Sequence, residues 1–180
     1  MTDDSSKKEQ LLFDIQRSVR YHNRRVAFYE RFSKTTSAVS LIFGSSSIYA
    51  VLKEHKMVAV ILAAIVTAFS IIDLIVGTSS KARLHSDLSR RFTSLEKALL
   101  LDNDVADEKY NVFYAERLDI EADEPPPLRV LDSICYNELL RSMGYDMNYS
   151  PAVKITWYQR WFSQIIDIRE HAIVPLKEKS

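Results

Sequence analysis

Residues 57–77, MVAVILAAIVTAFSIIDLIVG, constrain this chain most: an apolar run whose one charge, Asp73, lies near its end. Crossing about 30 Å of hydrocarbon takes about 20 predominantly apolar residues at about 1.5 Å each. This run meets that length. A shorter and more polar stretch precedes it, residues 35–52 (TTSAVSLIFGSSSIYAVL), with five serines. Only KEHK, residues 53–56, separates the two, so antiparallel packing is the simple arrangement. The pair reads as a transmembrane helical hairpin. Its rival is a pair of buried helices in a soluble bundle. A signal peptide fits neither the internal position nor the pairing, and no small-residue cleavage site follows a short apolar core.

Flanking charge orients the hairpin. Arg17, Arg20, Arg24, Arg25, Arg31 and Lys34 precede it, Lys81, Arg83, Arg90, Arg91 and Lys97 follow it, and only Lys53 and Lys56 sit in the turn. The positive-inside bias therefore puts both termini in the cytoplasm, with Tyr49 and His55 near the far interface.

Composition sets the remaining bounds. A mean hydropathy of -0.14 means that most of the chain faces water. The formal net charge is zero, so no global field points to nucleic acid. The single cysteine, Cys135, excludes an intramolecular disulfide and suits a reducing compartment. Glycine and proline are scarce, and no clear period-2 run is bounded by turn signals, so the expected class is all-α. The expected organisation is a basic cytoplasmic helix over 1–34, the hairpin over 35–77 and a cytoplasmic helical region over 78–180, within one domain.

Helical periodicity assigns faces. Leu12, Ile15, Val19, His22, Val26 and Tyr29 form one apolar stripe, and Arg17, Arg20, Arg24 and Arg31 fall on another face. Those guanidinium groups have two readings: topology and attraction to anionic headgroups, or a phosphate-binding face, since arginine offers a planar donor fork. In the first span Ser37, Ser40, Gly44 and Ser47 share a face. In the second, Ala59, Ala63, Ser70 and Gly77 do, with Thr67 and Asp73 at its edges. Such faces serve hairpin and oligomer packing, or the serine face lines a pore, which demands an oligomer because one hairpin encloses nothing. Asp73 is either a functional intramembrane carboxylate or one solvated by headgroup water a turn from the cytoplasmic end.

Beyond Gly77 the second span is expected to continue inward as a rigid arm, or to bend at residues 77–80. Leu84, Leu88, Phe92, Leu95 and Leu99 line one face of that arm, and Arg83, Arg90 and Lys97 another. If this arm packs against the first helix by the apolar stripes, Arg17, Arg20 and Arg24 border one crevice with Arg83 and Arg90, a candidate phosphate site. Acidic residues Asp102, Asp104, Asp107 and Glu108 suit a turn and the start of a helix carrying Val105, Tyr110, Val112 and Phe113 to about Ile120. Pro125, Pro126 and Pro127 break the chain before a helix with Leu128, Leu131, Cys135 and Leu139 on one face, and Gly144 is a stop signal. In the tail Trp157, Trp161, Ile165 and Ile168 share a helical face that packs on the bundle, lies in the headgroup interface or meets a neighbouring subunit.

Enzyme chemistry finds no foothold. The four histidines are dispersed, no HExxH, CxxC, GxSxG or Walker-type run occurs, and the acidic pairs lack calcium-loop spacing. No catalytic residue, metal ligand or cofactor site is expected. Cys135 sits on an apolar helix face and reads as a structural thiol.

The two-span hairpin, the basic helix running inward, the acidic proline break and the segment LRVLDSICYNELLRSMG resemble the SLATT group of bacterial two-transmembrane effectors. The resemblance covers about residues 10 to 170, mostly as an order of elements. It implies an oligomeric pore, a tetramer or similar ring, in the bacterial inner membrane, whose opening depolarises or kills an infected cell. It also implies regulation by an oligonucleotide signal, cyclic or linear, from a nucleotidyltransferase encoded nearby, which gives the arginine crevice a nucleotide as its ligand. The alternative is a membrane anchor or scaffold that recruits a cytoplasmic partner without conducting.

Overall fold

The computed structural model describes residues 3–45, 55–102, 107–145 and 152–168. Among the described residues the chain is all-helical: α1 (Asp3–Phe43), α2 (Lys56–Val76), α3 (Thr78–Leu101), α4 (Asp107–Ala122), α5 (Arg129–Ser142) and α6 (Trp157–Phe162). The chain divides into two compact units, one of Met1–Arg24 with Ser86–Ser180, the other of Arg25–His85.

α1 is a single helix of 41 residues, about 60 Å long at about 1.5 Å per residue. No glycine or proline interrupts it, so the expected cytoplasmic helix and the start of the first span are one element. It ends where Gly44 and Ser45 fold into a turn, with the Ser45 hydroxyl donating to the Ile42 carbonyl at 2.8 Å. Ser47, Tyr49 and Lys53 lie outside the described residues.

In the first unit, Leu11 and Ile15 of α1 meet Leu88, Phe92, Leu95 and Leu99 of α3 and Ile120 of α4, with Leu12, Val19, Tyr110 and Phe113 packed around them. The buried positions of α3 are Thr78, Ala82, His85, Leu88, Ser89, Phe92, Leu95 and Leu99, which apart from the adjacent Leu88 and Ser89 follow steps of three and four that keep one face inward. Leu84, expected on that face, is exposed, and His85 takes its place. Val112 is likewise exposed on α4, because positions 110, 113 and 120 already fill the inward face.

α5 is buried on several faces, at Val130, Leu131, Ile134, Cys135, Leu139 and Leu140. Its Leu131 and Cys135 form a second cluster with Tyr21 of α1 and Leu128. The Leu128 amide donates to the Tyr21 hydroxyl at 2.9 Å, so the chain just past the prolines is tied to α1. α5 ends at Ser142, and Gly144 follows in the left-handed region at φ 85°.

In the second unit, α1 from Arg25 onward runs beside α2 and the start of α3. Ser40 and Ser70 hydroxyls meet at 3.3 Å, Phe32 and Phe69 rings lie 6.2 Å apart, and Tyr29 stacks on His85 at 5.8 Å. α2 has no buried residue. It is the helix among the described residues that is long and apolar enough to cross a membrane. Gly77 interrupts the arm expected to continue from it: φ 63° and ψ 48° end α2, the Gly77 amide donates to the Asp73 carbonyl at 3.0 Å, and α3 begins at the next residue. A side chain at that φ meets its own backbone.

Candidate functional site

The charged face of α1 is an internal interface with α5. Arg17 Nε lies 3.3 Å from Asp132 Oδ1, Arg20 donates to the Ser142 hydroxyl at 3.1 Å, and Arg24 donates to Glu138. Arg17 Nη1 is also 3.7 Å from Asp14. The Arg17 Nε–H is not aimed for a hydrogen bond, so its attraction to Asp132 is that of an ion pair. Three guanidinium groups at steps of three and four thus face a helix that offers two carboxylates and a hydroxyl. Phe13 packs edge-on against Tyr136 of α5 at 5.3 Å, closing the same face.

Arg90 sits on the exposed face of α3, as do Asp87 and Lys97. The structure therefore does not turn Arg17, Arg20 and Arg24 toward Arg90 across a shared crevice, because their bonds run to α5. Arg83 is exposed within the other unit.

A cavity of about 290 Å³ opens at the proline break, lined by Arg17, Ser18, Tyr21, Glu121, Glu124, Asp132, Pro125 and Pro127. Around it Arg117 bonds Asp14 at 2.8 Å and Glu121 at 2.7 Å, and His22 Nε2 lies 3.0 Å from Glu124. Burial raises the Asp132 carboxyl above its ordinary range; Arg17 opposes this, and the charges of Glu124 and Asp14 add to it. For Arg117, burial lowers the guanidinium, but the Glu121 hydrogen bond and the charges of Asp14 and Glu121 outweigh it, and the net shift is upward. Three carboxylates against one arginine at the wall disfavour a polyphosphate in this cavity.

Of the polar and small residues expected to line a pore, Ser40 and Asp73 have partners within the chain. Ser40 faces Ser70 of its own chain, Ser37 and Gly44 are exposed, and the Asp73 carboxylate accepts from Thr78 at the end of α2. Burial pushes the Cys135 thiol up to about 12, with the Arg24 charge opposing that shift, so it is protonated and inert at neutral pH. Among the described residues no group of three or more His, Cys, Asp or Glu side chains is placed to hold a metal ion.

Several positioning residues carry no sequence signal. The Asp167 carboxylate accepts from the amides of Arg129 at 2.8 Å and Val130 at 3.0 Å, supplying the α5 N-terminus with a cap from far along the chain. Asn137 pairs with the Val153 backbone through two bonds, at 2.7 and 2.8 Å. The tail expected as one amphipathic helix is helical only to Phe162. Among residues 157–168 the buried ones are Gln159 and Ser163, while Trp157 and Trp161 point outward. Comparison with family models, curated proteins and solved structures finds no match for this chain.

Proposed function

We propose that the protein is a pore-forming effector of bacterial antiviral defence. Copies assemble in the inner membrane as a tetramer or similar ring, α2 and the end of α1 form the hairpin in each, and both termini lie in the cytoplasm. An oligonucleotide signal from a partner nucleotidyltransferase sets the open fraction, and opening depolarises the cell. The observation that carries the membrane part is α2 itself, apolar over its length with none of its residues buried by the protein. Such a surface is stable in lipid and a liability in water. The channel and signalling parts rest on the order of elements shared with the SLATT group.

The geometry orders the candidate ligands of the signal. Arg83 and Arg90 are exposed, and among the described residues no ion pair has to break for either to take a phosphate. A phosphate at Arg17, Arg20 or Arg24 must displace Asp132, Ser142 or Glu138. That exchange gives the ligand different affinities for two arrangements of α5, which is what gating requires. Planar-bilayer recording of purified oligomer tests this reading. The expected result is conductance altered by an oligonucleotide, with that response lost in Arg24→Glu combined with Arg90→Glu while oligomer size is kept. Absence of any conductance from an intact oligomer contradicts it.

A second reading, a non-conducting scaffold, draws on the Ser40–Ser70 contact, which uses the hydroxyl face of the first span inside one chain. It predicts that leucine at both Ser40 and Ser47 leaves cellular toxicity unchanged; a pore wall predicts a loss with insertion intact.

A further inference from the structure

α6 and the turn after it are amphipathic in the wrong sense for a part of the bundle. Gln159 and Ser163 face inward, both 3% exposed, while Trp157 is 75%, Trp161 79%, Phe162 47%, Ile165 68% and Ile166 55% exposed. The segment cannot roll to bury these side chains without breaking what holds it. Gln159 Nε2 donates to the Ile168 carbonyl at 3.0 Å, and the Thr156 amide donates to Gln159 Oε1 at 3.0 Å. Asp167 is fixed on the α5 N-terminus, and Val153 on Asn137. The outward face is therefore the held state of this segment.

Charge indicates what covers it. Lys154 and Arg160 are exposed, three residues before Trp157 and one before Trp161 in sequence. The one carboxylate among residues 152–168, Asp167, is bonded to two α5 amides. Among residues 152–168, what remains is aromatic and aliphatic surface with two exposed cations and no further carboxylate. Indole rings favour the water–hydrocarbon boundary, and lysine and arginine add attraction to anionic headgroups.

We infer that the Trp157–Trp161–Ile165 face, with Lys154 and Arg160, docks on the anionic headgroup layer of a lipid bilayer, a membrane contact separate from α2. It goes beyond the channel reading and does not depend on conduction or on a nucleotide.

Trp157 and Trp161 are the two tryptophans of the chain, so emission excited at the red edge, where indole absorbs and tyrosine does not, reports on this face alone. The full chain is reconstituted in vesicles of equal parts phosphatidylglycerol and phosphatidylcholine, with and without brominated acyl chains. The expected result is blue-shifted emission quenched by bromolipid and shielded from aqueous iodide. Lys154→Gln combined with Arg160→Gln should lower the bound-to-free ratio of this face by about tenfold or more in these vesicles, and much less in pure phosphatidylcholine. Iodide quenching without bromolipid quenching overturns the inference, because the face then stays in water. Shielding from both quenchers also overturns it, because protein then covers the face, whether a second copy or another part of this chain. Alkaline extraction of the same vesicles reports α2 insertion separately, so failure of the span and failure of this contact are told apart.

Discussion

Arg24 and Glu138 are each a little over one third exposed as side chains, and that sets what their pairing is worth. Water screens the pair, so a double-mutant cycle with Arg24→Ala and Glu138→Ala should give a coupling of about 0.2–1 kcal/mol. The pairing specifies which face of α1 meets α5 more than it stabilises the fold. Asp132 is no less exposed as a side chain, at 37%, yet partial burial, with the charges of Glu124 and Asp14, raises its carboxyl from the ordinary 3.8 against the pull of Arg17. The folded protein then binds this proton more tightly than the unfolded chain. The associated stability is present below pH 3.8 and is lost as pH rises through the folded value. Thermal midpoints across that window, in one detergent, should shift in favour of Asp132→Asn relative to wild type as pH rises. A difference independent of pH would show that the carboxyl titrates as in the unfolded chain. At Cys135, whose thiol is pushed up to about 12, maleimide should react slowly in the native protein and promptly after denaturation; equal rates would place the thiol at the surface.

Two elements depend on single residues outside their helices. α5 begins at Leu128 and Arg129 without a side-chain cap of its own, and Asp167 supplies it. Asp167→Ala should cost about 1 kcal/mol, the usual range for a lost N-cap, and raise amide exchange across Arg129 and Val130; unchanged exchange there would remove Asp167 from this role. Between α2 and α3, Gly77 at φ 63° makes Gly77→Ala unfavourable by about 1–2 kcal/mol through backbone strain alone, since open space surrounds the new Cβ. Helices were legible from the sequence wherever apolar residues recurred at three and four. The inward set Leu88, Phe92, Leu95 and Leu99 follows directly from that spacing, as does the stripe through Ile15 and His22. The arginine face of α1 was equally visible, but its partners were not. Periodicity places charges on a face without saying which other helix meets it, and the acids of α5 lie more than a hundred residues away along the chain. The direction of the tail's apolar face was left open between three placements for a related reason. Trp157, Trp161 and Ile165 form an apolar face by spacing, and only the bonds that tie Asp167 and Val153 to α5 determine that this face points outward.

For the whole molecule the two units differ in what stabilises them. The first has an apolar core of α1, α3 and α4 bordered by ion pairs such as Arg117–Asp14 and Arg91–Asp123. The second combines aromatic and hydroxyl contacts with a helix that buries none of its residues. Leu74 and Ile75 are 83% and 78% exposed, and Met57 74%. That division matches two solvents acting on one chain: water selects an apolar interior, and hydrocarbon accepts an apolar exterior. A channel of this kind requires α2 to cross a bilayer with residue 54 on the far side from both termini. Single cysteines placed by Glu54→Cys, Ser5→Cys and Glu178→Cys, in a Cys135→Ala background, test it in intact cells with a membrane-impermeant maleimide. Labelling at position 54 alone is the predicted result, and labelling at positions 5 and 178 with position 54 protected would contradict it.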